Sequence, residues 1–291
     1  MRRRPTTGGS ASAAAAAALS ALLALSACAT GYNYPDPSGP RYAAPRPPNV
    51  APADFAPAPA ATSDTLRVVS FNIEYAAEVD SALRVLTRTP ELSDLDVVLL
   101  QEMDEEGTRR IAATLGMGYV YYPASYRSGT GRDFGNAVLS RWPMEDDAKL
   151  VLPHHSLFTG SQRTATAVTL RVGGRRVRVY SVHLGTVVNQ WPWHRDDQLQ
   201  AVLDDAEPYR TVLIGGDMNS GGIGGLAVKR GYDWPTRDGP DTVHFWRWDH
   251  IFVRGLATPE SAAAGTVLDN HDASDHRPVW VRVVLSENGG A

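Results

Sequence analysis

The segment LDVVLLQ at residues 95–101 is a near-continuous apolar run, as expected of a strand that is covered on both faces of its sheet. A second β-rich segment, LRVVSFNI at 66–73, precedes it. Apolar residues recur at helical spacing over 79–86, between the two strands, and over 105–115, after them. This alternation of strand and helix predicts an α/β fold.

The rest of the sequence adds more strands than helices. A helix is predicted over 195–206, and the pair Gly173-Gly174 predicts a tight hairpin. Further strands are predicted at 119–122, 136–140, 165–172, 176–183, 211–214, 248–253 and 279–285. Together these segments predict two mixed β-sheets that pack face to face and are flanked by helices.

The amino-terminal residues have the layout of a secretory signal. Three arginines at 2–4 precede an Ala/Leu-rich stretch over 11–25, which is too short for a permanent membrane span. The sequence LSAC at 25–28 resembles the lipobox of bacterial lipoproteins, in which the cysteine is acylated and becomes the first mature residue. We predict a signal peptide over 1–27 and an exported protein anchored through Cys28. The alternative is an ordinary signal peptide in which this cysteine is incidental.

Residues 28–64 are predicted to be a disordered tether. Nine of the 20 prolines of the chain lie between residues 29 and 64, with few bulky aliphatic residues, which is typical of an extended linker. The catalytic domain is then predicted over 65–291. Because Cys28 is the only cysteine, this domain has no intramolecular disulfide and must rely on its core and on any metal ion that it binds.

The charge balance argues against tight, non-specific binding of nucleic acid. Loss of residues 1–27 removes three arginines and no acid, which takes the formal net charge from −4 to −7. Such a chain lacks the general positive surface that phosphate backbones require, although a local basic patch would override this.

Metal-competent and proton-transferring side chains recur where predicted strands end. They are Asn72, Glu102, His183, Asp217 with Asn219, Asp249, and Asp275 with His276. Hydrolysis of a phosphate ester needs a cation to neutralise developing charge, a base to activate water, and donors for the non-bridging oxygens. This set supplies each type.

Seven short motifs resemble, in order, those of the DNase I-like endonuclease/exonuclease/phosphatase superfamily. They are SFNI at 70–73, LQE at 100–102, GNAVLS at 135–140, VHL at 182–184, GGDMN at 215–219, WDHI at 248–251 and SDHRP at 274–278. Any one of them is a weak signal, but seven in order are specific. The resemblance covers about residues 66–285 and implies a four-layer α/β sandwich with the active site at the sheet edges.

The resemblance also implies roles for individual residues. Glu102 resembles the principal Mg²⁺ ligand, with Asn72 beside it, and Mn²⁺ is a possible substitute. Asp217 and Asp275 complete the predicted metal ligands. His276 resembles the general base that takes a proton from the attacking water.

Other residues are predicted to orient the base or to bind the substrate. Asp249 resembles the carboxylate that orients the general base, and His183 is expected to donate to a non-bridging phosphate oxygen. Asn219, together with Asp217, resembles the pair that positions the nucleophile or leaving group. Asn136 and Arg163 are predicted to bind substrate.

The sequence therefore predicts a monomeric, metal-dependent phosphoesterase that is tethered to a membrane. Whether the ester belongs to a nucleic acid, a phospholipid or an inositol phosphate stays open, because function is set by the surroundings of the site. A non-catalytic envelope binding module on the same scaffold is the alternative, as is an adhesin that acts through its Pro/Ala-rich segment.

Overall fold

A computed structural model describes residues 31–47, 64–259 and 263–285. Within these residues the strands are β1 (Gly31–Asn33), β2 (Tyr42–Ala44), β3 (Thr65–Asn72), β4 (Val97–Met103), β5 (Gly118–Arg127), β6 (Arg132–Ser140), β7 (Met144–His155), β8 (Gln162–Val172), β9 (Arg175–His183), β10 (Val212–Asp217), β11 (Asp249–Arg254), β12 (Ala264–Thr266) and β13 (Val279–Val284). The α-helices are α1 (Val79–Arg88), α2 (Glu105–Leu115), α3 (Pro192–Asp205) and α4 (Gly224–Lys229), and short 3-10 turns form at Glu74–Ala76 and Pro90–Leu92.

The strands form two mixed sheets. The first sheet has the order β1-β5-β6-β4-β3-β13-β12, with β2 also paired to β5. The second sheet has the order β11-β10-β9-β8-β7. Each sheet contains one parallel pair, β3 with β4 and β9 with β10, so these neighbouring strands end at the same edge of their sheet.

Three apolar clusters hold the layers together. The cluster between the sheets includes Leu99 from the first sheet and Leu213 from the second, both fully buried. The outer face of the first sheet packs against α1 and α2 through residues such as Ile111, and the outer face of the second packs against α3 and α4 through residues such as Leu199. These layers confirm the predicted four-layer α/β sandwich, because each sheet is apolar on both faces.

Local sequence signals set the ends of α2. The Asp104 side chain accepts a hydrogen bond from the Gly107 backbone N–H at 2.7 Å, which caps the amino terminus of the helix. Gly116 ends the helix in the left-handed conformation at φ 61°, which glycine adopts without steric cost. The helix follows directly after β4, so this cap also fixes the chain that leaves Glu102.

Several strands were not predicted from the sequence. The longest is β7, at the edge of the second sheet, where intermediate exposure and residues such as Glu145, Asp146 and Lys149 hide the apolar alternation of a strand. Charged residues are common on edge strands because they discourage pairing with other chains. The strands β1, β2 and β12 were missed because each has only three residues.

The tether prediction is wrong for residues 31–47. There β1 and β2 pair antiparallel with β5. The buried ammonium of Lys149 donates hydrogen bonds to the carbonyl oxygens of Tyr34 at 2.9 Å and Gly39 at 2.6 Å. Backbone pairing, these charge-assisted bonds and the packing of Tyr42 and Ala44 against the core hold this proline-rich segment.

The predicted signal peptide, Cys28 and the tether residues 48–63 lie outside the described residues. Among the residues that the structure does describe, none of the helices has the length and apolar character needed to cross a membrane.

The Lys149 contacts predict how residues 31–47 contribute to stability. In a chain of residues 29–291, which holds every described element, Lys149→Met leaves the two carbonyls without their donor and should lower the free energy of unfolding by about 1–3 kcal/mol. In a chain of residues 64–291 the carbonyls are absent, and the same change should alter it by less than about 0.5 kcal/mol. Denaturant unfolding of the four proteins tests this, and an equal cost in both chains would refute the contact.

Candidate active site

Polar side chains from both sheets converge at one end of the sandwich. Asn72, His183 and Asp217 end β3, β9 and β10, Asp249 begins the antiparallel strand β11, Glu102 lies near the end of β4, and His276 precedes β13. Parallel strands end at one edge, and an antiparallel neighbour begins there, so the topology alone brings these residues together. The structure thus gathers the six residues into one buried cluster.

Gly215 lets the two sheets approach behind the site, and Gly216 lets two neighbouring strands of one sheet approach. A Cβ atom on Gly215 would lie 2.6 Å from Cδ1 of Leu99 in the facing sheet. A Cβ atom on Gly216 would overlap the carbonyl oxygen of Val182. The pair of glycines before Asp217 therefore reflects close packing, which larger residues would not permit.

His276 and Asp249 form a buried hydrogen-bonded pair. Nδ1 of His276 lies 2.9 Å from Oδ2 of Asp249, and the backbone N–H of Asp249 donates to Oγ1 of Thr242 at 3.2 Å. Burial lowers the pKa of His276, but the charges of Asp249 and Asp217 outweigh it and raise the pKa to about 10. With Nδ1 bound to the carboxylate, Nε2 is the atom that faces the site, 3.6 Å from Oδ2 of Asp217.

The tautomer of His183 follows from its neighbour Arg163. Burial, followed by the charge of Arg163, holds the pKa of His183 well below its usual value, so this imidazole is neutral. Nη1 of Arg163 lies 3.4 Å from Nδ1 of His183, and a guanidinium can only donate, so Nδ1 is the acceptor. The proton is then on Nε2, a buried atom that lacks a protein partner of good geometry although Oδ2 of Asp217 is 3.3 Å away.

Asp217 is the hub of the polar cluster. Its Oδ1 accepts a hydrogen bond from the backbone N–H of Asn219 at 2.9 Å. Its Oδ2 accepts one hydrogen bond from Nδ2 of Asn72 at 3.1 Å and another from Nδ2 of Asn219 at 3.2 Å. Burial raises the pKa of Asp217 to about 7, against the opposing charge of His276. Asn219 has φ 48°, a left-handed conformation that asparagine tolerates better than most residues.

Glu102 adopts a conformation that most residues avoid. Its φ is 59°, and its Oε2 accepts a hydrogen bond from the backbone N–H of Tyr75 at 3.2 Å. Burial raises the pKa of this carboxyl, and the charge of Arg163 opposes the increase. A non-glycine residue held at positive φ costs of order 1–3 kcal/mol, and such strain is typical of functional sites.

The donor set suits a hard divalent cation. Glu102, Asp217 and Asp249 bring three carboxylates into a small volume, and Oδ1 of Asp249 is buried with no hydrogen-bond partner among the described residues. Buried carboxylates are costly unless positive charge compensates them, and oxygen ligands are those that Mg²⁺ and Mn²⁺ prefer. Asp217, Asp249 and His276 offer ligand atoms within 4.8 Å of one another, a group that shares only Asp217 with the predicted metal ligands.

The remaining predicted residues lie in different surroundings. Arg163 enters the site beside His183. Asp275 is half exposed, with its Oδ1 3.9 Å from Nε2 of His276. Nδ2 of Asn136 donates to the carbonyl oxygen of Thr164 at 2.6 Å and so ties the two sheets together, and a contact between Asn136 and substrate stays a prediction.

Sequence reasoning missed two residues of the turn after β3. Tyr75, at φ 61°, donates its backbone N–H to Glu102 and lies under the guanidinium of Arg127, 3.8 Å from the ring centre. Oε2 of Glu74 accepts from the backbone N–H of Asp275 at 3.1 Å. Their position just after Asn72 is the only signal that could have indicated them.

A cleft of about 330 Å³ opens beside the polar cluster. Its lining includes Tyr75, Arg163 and Phe134 from the site side and Gly31 and Asn33 of β1 from the other side. Two arginines and several aromatic rings at the mouth suit an anionic substrate with an apolar or aromatic portion.

Comparison with known proteins gives a family match over most of the described chain. Residues 69–276 match the Endonuclease/Exonuclease/phosphatase family. No curated protein sequence matches significantly.

Solved structures with the same fold are similar over most of their length. An endonuclease/exonuclease/phosphatase from Beutenbergia cavernae is 21% identical, with 77% of this chain and 72% of that chain covered and a TM-score of 0.61. A second, from Bacteroides vulgatus, is 14% identical, with 77% and 100% covered and a TM-score of 0.62. D. rerio TDP2 complexed with single strand DNA product is 16% identical, with 76% and 99% covered and a TM-score of 0.59.

The His276–Asp249 pair predicts a measurable titration. In the metal-free chain of residues 29–291, Asp249→Asn removes the largest charge that raises the pKa of His276, so this pKa should fall by about one pH unit or more. NMR titration of the imidazole signals, with that of His276 assigned from a His276→Gln variant, measures the change. An unchanged midpoint would show that the pair is not formed in solution.

The same shift sets the pH dependence of stability. Folding raises the pKa of His276 from 6.5 to about 10, so its protonation stabilises the metal-free fold fully below pH 6.5, and this contribution is lost as the pH rises through 10. Asp249→Asn should flatten the stability profile in this window.

Proposed function

Because the chain belongs to the endonuclease/exonuclease/phosphatase family, we propose that it is a divalent-metal-dependent phosphoesterase in which His276 activates water. One observation carries the proposal. Nε2 of His276 is a base when the ring is neutral, and Nε2 of His183 is a proton donor. Both atoms lie within 3.6 Å of the same carboxylate oxygen of Asp217. A phosphoryl group between them would meet both functions that hydrolysis needs.

His276 takes the proton from the attacking water on Nε2. The bond from Nδ1 to Asp249 fixes the orientation of the ring and stabilises the imidazolium that forms. Asp217 accepts hydrogen bonds from Asn219 and Asn72, so its carboxylate is held in place to orient the water or the leaving group.

Donors and positive charge receive the phosphate oxygens. Within the part of the chain that the structure describes, the Nε2–H of His183 has no partner of good geometry, which leaves it to donate to a non-bridging oxygen. Arg163, next to it, supplies positive charge at the mouth of the cleft. Preorganised donors of this kind stabilise the charge that develops on a phosphoryl group in the transition state.

Glu102, Asn72 and Asp217 are the residues that we assign to the cation, with Asp275 at the exposed side. His276 and Asp249 are less suited, because Nδ1 and Oδ2 are engaged with each other. When bound, Mg²⁺ or Mn²⁺ polarises the phosphoryl group and offsets the negative charge that raises the pKa of His276.

The substrate is a phosphodiester or phosphomonoester. The D. rerio TDP2 structure contains a single strand DNA product, which makes a nucleic-acid end one class to test. Export and acylation at Cys28, which we propose from the sequence of residues 1–28, make phospholipid and inositol-phosphate head groups the other class. A non-catalytic binding module would not need the complete set of base, donor and carboxylates that is present.

Hydrolysis by residues 29–291 tests the proposal. Plasmid DNA, RNA, sphingomyelin, phosphatidylinositol phosphates and bis-p-nitrophenyl phosphate form the panel, each with Mg²⁺, with Mn²⁺ and with chelator. We expect chelator-sensitive activity on at least one class. His276→Ala should lower kcat by about 10²–10⁴-fold, because it removes the base.

The matched control is His271→Ala, at an exposed histidine in the same loop. It should keep wild-type activity. Activity that survives in the His276→Ala protein would remove this residue from the mechanism, and no turnover with any substrate or metal would favour the binding module.

Glu102→Gln separates metal binding from turnover. The change keeps the size of the side chain and removes a buried charge, so the metal-free Tm should stay the same or rise by a few degrees, about 2–4 °C per kcal/mol. Mn²⁺ should raise the Tm of the wild type but not that of this variant. Glu106→Gln, on the exposed face of α2, is the control and should keep the shift. An equal Mn²⁺ shift in the Glu102→Gln protein would exclude this carboxylate as a ligand.

A further inference from the structure

Two loops beside the active-site cleft expose an unusual amount of apolar surface. The loop at 156–161 joins β7 to β8, and the segment at 184–193 comprises the loop after β9 and the first two residues of α3. Their exposed side chains are Leu157, Phe158, Val187, Val188, Trp191 and Trp193, which we call the apolar rim. Phe158 is 73% exposed and Val188 is 74% exposed.

The two loops are joined into one surface. The backbone N–H of Leu157 donates to the carbonyl oxygen of Asn189 at 2.9 Å. The indole rings of Trp191 and Trp193 stack with centroids 5.3 Å apart, and His194 next to them stacks on His154 at the end of β7. These contacts hold the two segments side by side, so the exposed apolar side chains are grouped on neighbouring parts of the surface.

The apolar rim borders the entrance to the active site. Thr159 and Asn189, which lie between its members in the sequence, line the same cleft as Tyr75 and Arg163. Whatever covers the rim will also face the mouth of the cleft.

The composition of these loops fits contact with lipid. The chain has 32 acidic residues, yet neither 156–161 nor 184–193 contains one. Leu, Val and Phe together with Trp are the residues that surface-binding proteins place at the boundary between head groups and acyl chains. A loop that only faced water would have no reason to exclude acids.

The chain enters the domain at this same edge. The strand β1 lines the cleft through Gly31, and Nδ2 of Asn33 donates to the carbonyl oxygen of Gly160 in the first loop at 2.7 Å. Oδ1 of Asn33 accepts from the backbone N–H of Gln162 at 3.0 Å. Cys28 is three residues before Gly31, and three residues span at most about 10 Å.

We propose that the apolar rim is a membrane-docking surface, which seats the mouth of the cleft on the lipid bilayer next to the anchor at Cys28. A lipid bilayer is the occupant that both observations favour, because Gly31, the first described residue after the proposed acylation site, and the exposed apolar surface lie on one edge of the domain. The consequence for the substrate rests on the proposed function: a phosphate ester at the bilayer surface would lie directly before His276.

Vesicle binding tests the docking surface without any turnover. Residues 29–291, which lack the acyl group, are sedimented with vesicles of phosphatidylcholine alone and with phosphatidylglycerol added. We expect binding to both, since the rim is apolar. Phe158→Asp and Val188→Asp should each weaken the partition constant by about tenfold or more, because a charge replaces an apolar side chain that inserts into the bilayer on binding.

Two further variants control for charge and for folding. Val188→Leu keeps the apolar surface and should bind as well as the wild type. Val228→Asp places the same charge on an exposed valine of α4. The chain after this helix reaches Tyr232, whose ring lies under Arg254, at the end of β11 opposite Asp249. This variant should not change binding. Equal Tm values for all variants exclude a loss of fold.

Three outcomes would overturn the proposal. They are no binding of residues 29–291 to either vesicle, equal weakening by Val228→Asp and Val188→Asp, and a dimer in sedimentation analysis that Val188→Asp dissociates. The last would make a second copy of the chain the partner of the rim. Because the assay reads binding alone, its failure is distinct from a failure to find hydrolysis.

Discussion

Buried negative charge at one end of the sandwich is the constraint on which the active site depends. Glu102, Asp217 and Asp249 bring three carboxylates out of water, and the positive groups nearby are Arg163 and His276. Such a set is stable only if it is partly neutralised by protonation or by a cation. Burial raises the pKa of Asp217, and the charges of Asp249 and Glu102 add to this increase, whereas the charges of Asp249 and Asp217 raise the pKa of His276 against the effect of its own burial.

The fold tolerates this deficit of positive charge, and the backbone strain at two site residues, because the site is built on well-packed layers. Glu102 and Asn219 both have positive φ. Glu102 lies near the end of β4 and Asn219 follows β10, two strands whose apolar residues are fully buried. Gly215 lets the two sheets approach closely behind the site, and Gly216 lets β10 lie against Val182 of β9 in its own sheet. The core thus stabilises a local arrangement that would not persist alone, which is the usual relation between stability and function in enzymes.

The sequence predicted best those residues whose position follows from strand ends. Asn72, His183 and Asp217 are such residues, because the end of a buried strand fixes where its side chains meet. It failed where placement depends on long-range contacts: Tyr75 reaches Glu102 through a turn in an unusual conformation, and residues 31–47 are held by backbone pairing and by Lys149, which lies 110 or more residues away. The composition of a segment does not indicate which distant residues it contacts, so a proline-rich segment is predicted to be a tether.

In the arrangement that we propose, the same segment would link the candidate active site to a membrane. One attachment at Cys28 would leave the domain free to rotate, and a single weak apolar patch would bind only transiently. Because β1 is hydrogen-bonded to the loop that carries Phe158, an acyl chain at Cys28 would raise the effective concentration of the apolar rim at the bilayer, and the two contacts together would fix an orientation that neither gives alone. A domain held in this way would present its cleft to the membrane, so the β1 segment would determine which phosphate esters reach the carboxylates of the site.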